Sequence, residues 1–288
     1  MNKHHYILTL SCPDRVGIVA AVSGFVAQHG GFIVEASYHT DQETQQFFMR
    51  QEIRANSLPF DAAELRAHFA PLAEQFQMSW QVSDSAVKKR VVLLVSKQDH
   101  CLNDLLHRWR SGELEVEIPC VISNHEDLRG FVEWHGIPFH CVAMPNNNEP
   151  AKAVAFAEIA CQFDAVRGDI MVLARFMQIV PPDLCNRYAG RIINIHHSFL
   201  PSFAGAKPYH QAYHRGVKLI GATCHYASAE LDAGPIIEQD TMRIDHGDTV
   251  EDMVRYGKDI EKAVLARGLR YHVEDRVLVC GNKTIVFR

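Results

Sequence analysis

Arg191-Ile192-Ile193-Asn194-Ile195-His196, continuing into His197-Ser198-Phe199-Leu200-Pro201, is the stretch on which the reading of this chain turns. An apolar run that closes in two polar residues two positions apart has the pattern of a buried strand, so Asn194 and His196 share a face at its carboxyl end. The segment from Leu200 to Pro208 is too rich in Pro, Gly and Ala to prolong that strand, and Leu231-Asp232-Ala233-Gly234-Pro235 later carries an acid into a turn. Upstream, from Val91, strand and helix patterns alternate. Strands are expected over Val91 to Ser96, Leu114 to Ile122, Phe139 to Val142 and Ile170 to Ala174, and helices over Leu102 to Arg110, Leu128 to Trp134 and Ala151 to Phe163. This rhythm predicts a doubly wound, mostly parallel α/β sheet with helices on both faces, whose ligands bind beyond the carboxyl ends of the strands. Asn194 and His196 lie in that position. Strands over Leu219 to Tyr226 and Ile236 to Arg243, a helix over Thr249 to Leu269 and a terminal hairpin turning at Gly281-Asn282 complete the chain.

The first 83 residues follow another order. Tyr6 to Ser11 reads as a strand, and Gly17 to Gln28 as a helix with Ile18, Val19, Val22, Phe25 and Val26 at helical spacing, stopped by Gly30-Gly31. Phe32 to Ser37 and Phe47 to Ile53 read as a hairpin pair, Phe60 to Gln75 as a second helix, and Met78 to Val82 as a last strand. This is a ferredoxin-like βαββαβ plan. A polar stretch, Ser83 to Arg90, separates the two patterns, so the expected organisation is 1–83, a linker at 84–90, and a catalytic domain at 91–288.

At 288 residues and 47% hydrophobic composition, two ordinary cores are within reach. A net charge of −5, with Lys and Arg scattered, argues against a nucleic-acid partner. No apolar run has membrane length and Met1 to His5 has no leader character, so a cytoplasmic chain without a membrane partner is expected. Eight cysteines without any C-x-x-C pair are expected to be reduced and mostly buried. His210 and His214, four apart on a helix beginning near Pro208, have metal-ligand spacing, but no Glu follows His210 as in the zinc-protease signature, so no metal is expected.

A carboxylate beside an imidazole fixes its tautomer and stabilises the imidazolium, and a primary amide beside both can donate to a developing oxyanion. Asn194, His196 and Asp232 supply these groups, which suits attack on a carbonyl. The pattern N-x-H-x-S-x-L-P followed by L-D-x-G-P resembles the folate-dependent formyltransferase family. The resemblance implies that these three residues act on 10-formyltetrahydrofolate, with the folate as substrate and no cofactor. It also places His225, in Thr223-Cys224-His225-Tyr226, at a further active-site position, although a strand histidine serves equally as a core residue. Leu173 to Val180 is similar to the family's pterin-binding segment, implying folate contacts at Phe176, Met177, Gln178, Ile179 and Val180. Without the resemblance, this stretch reads as an apolar connection packed into the core.

Relatives in that family that formylate glycinamide ribonucleotide hold its phosphate on a Gly-rich loop after the first catalytic strand. Here that loop is Ser96-Lys97-Gln98-Asp99-His100-Cys101, with no glycine and with an acid that repels phosphate. Together with His197 in place of the usual Pro, and with Gly205 to Tyr213, it resembles the branch whose acceptor is water, implying release of formate and tetrahydrofolate. A transferase using another amine, or a folate and amino-acid sensor without catalysis, are the competing expectations. Pro13-Asp14-Arg15-Val16-Gly17-Ile18 with Gly30-Gly31 resembles the ACT regulatory domain. That resemblance implies a homo-oligomer and an amino-acid effector such as glycine or methionine, while a module that only dimerises reads the same residues equally well.

Overall fold

The computed structural model describes residues 4–145, 148–202 and 208–288. It divides into two compact units, Met1–Lys88 with Tyr271–Arg288, and Lys89–Arg270. The first begins with β1 (His5–Pro13), α1 (Ile18–Gln28), β2 (Ile33–Asp41), β3 (Gln46–Arg54), a single 3-10 turn, α2 (Ala62–Gln75) and β4 (Ser79–Asp84). The strands form one antiparallel sheet in the order β2-β3-β1-β4. Asp61 starts α2 by accepting from the N–H groups of Ala63 and Glu64, while Glu64 reaches back to the Asp61 N–H.

The alternation along β3 organises this unit. Phe47, Met49 and Ile53 point into a core shared with Val22 and Val26 of α1 and with Leu65 and Phe69 of α2. Phe48 points the other way and packs with Cys280 and Phe287. Both faces of a central strand are therefore covered, and the second cover comes from the end of the chain.

The second unit contains β5 (Val91–Val95), α3 (His100–Ser111), β6 (Val121–Ser123), α4 (Arg129–Trp134), β7 (Phe139–Cys141), α5 (Glu149–Ala165), β8 (Ile170–Leu173), α6 (Pro182–Arg187), β9 (Ile192–His196), α7 (Pro208–Arg215), β10 (Leu219–Tyr226) and β11 (Ile236–Arg243), and most of α8 (Val250–Val273). Its sheet runs β11-β10-β9-β8-β5-β6-β7. The pairs from β9 to β7 are parallel, and β10 and β11 add an antiparallel edge. β5 and β8 are buried on both faces and read as continuous Val, Ile, Leu and Met runs, as parallel strands covered by helices do. No helix among the described residues is long and apolar enough to cross a membrane.

Two expectations need correction. The strand expected from Leu114 shrinks to Val121–Ser123, because Glu117 meets Arg90 in an isolated bridge and Pro119 has no N–H for a ladder. The terminal hairpin, β12 (Val277–Cys280) with β13 (Lys283–Val286), was expected in the catalytic domain at 91–288, yet it belongs to the first unit. Arg50 explains why: it is 1% exposed and donates from Nη2 to the Glu274 carbonyl at 3.0 Å and from Nε to the Asp275 carbonyl at 3.2 Å. Arg276 with Glu35, and Lys283 with Asp41, add ion pairs around it. Gly205, Ala206 and Lys207 of the sequence motif lie outside the described residues.

Arg50→Ala should destabilise the first unit by about 3 kcal/mol, since it strips a buried charge network of its cation. Urea unfolding followed by hydrogen exchange should show residues 277–286 losing protection first. Unchanged protection there would mean that the apolar contacts alone hold the hairpin.

Candidate active site

β8 and β9 are adjacent and parallel, with Leu173 opposite Asn194, so the segments leaving them emerge along one edge of the sheet. β9 ends in Asn194, Ile195 and His196, which places the amide and the imidazole at that edge. β10 returns antiparallel with His225 opposite Asn194 and Thr223 opposite His196. This register brings two residues 31 positions apart into contact: Asn194 Nδ2 lies 3.1 Å from His225 Nε2.

The tautomer of His225 follows from its other nitrogen. Nδ1 lies 2.9 Å from the Tyr226 carbonyl and must donate to it, so Nε2 offers its lone pair to an N–H of Asn194. Burial holds the pKa of His225 below the usual histidine value, keeping the ring neutral for this role. His225 therefore fixes which way the Asn194 amide points.

Asp232 arrives from the turn after β10. Tyr226 N–H donates to the Pro235 carbonyl at 2.9 Å, folding that turn back on the strand. A Cβ on Gly234 would lie 1.9 Å from the Tyr226 carbonyl oxygen, so only glycine permits this approach. Asp232 itself takes the left-handed conformation, φ 55°, which aspartate tolerates better than most residues. Its Oδ1 accepts from His196 Nδ1 at 3.3 Å and lies 3.9 Å from His225 Nε2. The hydrogen bond from His196, ahead of the opposing effect of burial, keeps the carboxyl below the usual aspartate range and hence ionised. With Nδ1 so engaged, His196 Nε2 is buried without a hydrogen-bond partner among the described residues. An orphaned buried imidazole nitrogen beside a cavity is a group held ready for a ligand.

That cavity, about 640 Å³, is lined by Asn194, His196, His225 and Asp232 and also by Phe176, Met177, Gln178, Ile179 and Val180. The latter five follow β8, and Met177 N–H donates to Ser96 Oγ at 3.0 Å, which in turn donates to Asn124 at 2.6 Å. Met177 and Ile179 are exposed there although apolar, a surface suited to a flat ring. All nine residues singled out from the sequence thus border one cavity.

Other wall residues escaped the sequence reading as site groups: Gln98, Arg175, His197, Tyr209, Lys258 and Glu261. The available signal was Glu261, an acid among Ile260, Val264 and Leu265 on the buried stripe of α8. His210 also lines the cavity but is exposed. Among the described residues the one group with metal-ligand proximity is His100, Cys101 and Glu261. It does not fit a metal. Arg175 Nε lies 3.4 Å from the Glu261 carboxylate, whose two oxygens already accept from Tyr209 Oη at 2.8 Å and His100 Nε2 at 2.7 Å.

An amide, an imidazole and a carboxylate converging at the carboxyl edge of a parallel sheet, beside an apolar slot, define an enzyme of carbonyl group transfer. The family model described as Formyl transferase matches residues 89–269. A formyltetrahydrofolate deformylase of Synechocystis sp. is 48% identical over 97% of this chain and 97% of its own. The crystal structure of a formyltetrahydrofolate deformylase from Pseudomonas syringae pv. tomato matches with a TM-score of 0.97 and 60% identity, covering 99% of this chain and 95% of that one. Glycinamide ribonucleotide transformylase 1 from Symbiobacterium toebii matches with a TM-score of 0.66 and 28% identity, covering 72% of this chain and 98% of its own. The chain belongs to the formyl transferase family and, within it, to the formyltetrahydrofolate deformylases.

His197, next to His196, has its pKa lowered to about 4, by burial first and then by the Arg175 charge. The unfolded chain therefore binds a proton at this residue below pH ~6.5, whereas the folded chain does not until about pH 4. Stability contributed by the neutral ring should fall as pH drops through that window, by at most about 1.4 kcal/mol per pH unit. His197→Gln should flatten the decline measured by chemical denaturation at a series of pH values. An unchanged slope would show that His197 is protonated in the fold.

Proposed function

We propose that this chain hydrolyses 10-formyltetrahydrofolate to tetrahydrofolate and formate through Asn194, His196 and Asp232. The observation that carries this reading is the unpartnered His196 Nε2, held by Asp232 from behind and set in the cavity beside Asn194. With Nδ1–H directed at Asp232, Nε2 bears the lone pair that accepts a proton as water attacks the formyl carbon. Asp232, ionised, stabilises the imidazolium so formed. Asn194, its amide steered by His225, donates to the oxyanion. When the carbon–nitrogen bond breaks, the imidazolium returns its proton to the departing folate nitrogen, and formate leaves with the oxygen of the water. His225 acts by positioning Asn194. Phe176 to Val180 hold the pterin, with backbone groups of Gln178, Ile179 and Val180 reading its edge. Carbonyl polarisation comes from these side chains, so the reaction needs no metal or cofactor.

His196→Ala and Asp232→Asn should each lower turnover by about 10²- to 10⁴-fold with the fold intact. Asn194→Ala should cost on the order of 10²-fold in kcat with KM little changed. Formate release from 10-formyltetrahydrofolate, without added amine and after treatment with a chelator, is the measurement. Activity that disappears on chelation and returns with zinc, or near-normal rates in the variants, would defeat the scheme.

The βαββαβ unit supports a second part of the proposal, that it is an ACT regulatory domain pairing copies of the chain into a homo-oligomer and taking glycine or methionine as effector. A cytoplasmic enzyme of this kind balances one-carbon folate pools and supplies formate for purine synthesis. Titrating either amino acid into the full chain should change the formate-release rate, and light scattering should give a mass above that of one chain. A monomer indifferent to both would remove this assignment.

A further inference from the structure

The cavity has two carboxylates on its wall, and only one belongs to the catalytic group. Glu261 is 1% exposed and every oxygen of its carboxylate is engaged. Oε1 accepts from Tyr209 Oη at 2.8 Å, Oε2 accepts from His100 Nε2 at 2.7 Å, and Arg175 Nε stands 3.4 Å from Oε2. Arg175 is itself 6% exposed and donates from Nε to Gln98 Oε1 at 3.2 Å. Burial alone would raise the Glu261 pKa, yet the hydrogen bond from His100 and the charge of Arg175 bring it below the usual range.

The construction of this cluster is specific. Gly257, one turn before Glu261 on α8, leaves room for Tyr209, whose Oη would lie 2.0 Å from a Cβ there. Arg175 is held at φ 65°, a left-handed conformation for a side chain other than glycine. Gln98 and His100 come from the glycine-free loop after β5 and the first turn of α3. Three separate segments at the carboxyl edge of the sheet thus converge to cap a single buried carboxylate.

An amine that is to attack the formyl carbon must be gripped and oriented, and a buried carboxylate is the group that does so. Water needs no such grip. We propose that the Gln98–Arg175–Glu261 cluster, completed by His100 and Tyr209, determines the acceptor of this enzyme by capping the one carboxylate that an amine would use. The formyl carbon is left open to water alone. This inference rests on the hydrolytic reading above. In the alternative reaction an amine nitrogen would bond to the formyl carbon as the bond to the folate nitrogen breaks, and the proton lost by the amine would pass to that folate nitrogen.

The test measures the products made from 10-formyltetrahydrofolate with glycinamide present. Formate release by the native chain without amine checks the hydrolytic reading separately. The native chain should yield formate alone at any glycinamide concentration, and N-formylglycinamide from it would overturn the proposal. Arg175→Met, which takes the cation from Glu261 and leaves it only the Tyr209 and His100 hydrogen bonds, should raise the ratio of N-formylglycinamide to formate by about tenfold or more, the scale on which buried polar groups discriminate substrates. Arg175→Lys should restore formate, and Arg175→Met with Glu261→Gln should form no N-formyl product. If Arg175→Met does not fold, Gln98→Ala, which loosens the cap without unpairing a buried charge, should raise the same ratio by a smaller factor. A folded Arg175→Met or Gln98→Ala that still makes formate alone overturns the proposal.

Discussion

The register of β9 between a parallel neighbour and an antiparallel one is the constraint on which the site depends. Parallel pairing with β8 brings the segment Phe176 to Val180 to the same edge as Asn194 and His196. Antiparallel pairing with β10 sets His225 opposite Asn194 and starts the turn that returns Asp232 to His196. A slip of one residue would turn Asn194 and His196 to the other face, where Ile193 and Ile195 are buried. The apolar residues of the strand therefore lock the polar ones in place. Burial of Ile192, Ile193 and Ile195 is what makes that slip costly.

Two carboxylates in one cavity are kept apart by their neighbours. Asp232 faces imidazole and leaves the far nitrogen of that ring open, whereas Glu261 is surrounded by donors that leave nothing open. Buried ions of this kind persist only when their hydrogen bonds are complete. The residues bearing the two decisive side chains, Asp232 and Arg175, both adopt left-handed backbone conformations. Local strain of that kind is held by the surrounding structure and clusters where side chains must be aimed.

In the other unit a similar logic acts through a single strand. Alternation along β3 sends Phe47 and Met49 to the helices, Phe48 to the hairpin and Arg50 to the Glu274 and Asp275 carbonyls that lead into it. A strand buried on both sides needs two covers, and the local chain offers only one. The last residues supply the second, which is why the hairpin groups with residues from which it is separated by the whole catalytic unit in sequence.

Much of this was legible in the chain itself. Strand and helix periodicities gave the element order of the first unit and, apart from the short α6 (Pro182–Arg187), that of the second, because burial on one face leaves a repeat of two or of 3.6 in the residues. Asn194, His196 and Asp232 stood out as residue identities at fixed offsets that suit carbonyl chemistry, whereas Phe176 to Val180 entered only through the family resemblance, and the fold brings both sets to one cavity. The tertiary structure decided the rest. Whether His225 is a core residue or a partner of Asn194 depends on cross-strand register, which no local pattern encodes. Where the terminal hairpin packs depends on which apolar face remains uncovered. Glu261, Arg175, Gln98 and Tyr209 meet only when two loops, the short helix α7 and the long helix α8 converge, and the pairing of buried charges is a property of distance in space rather than along the chain.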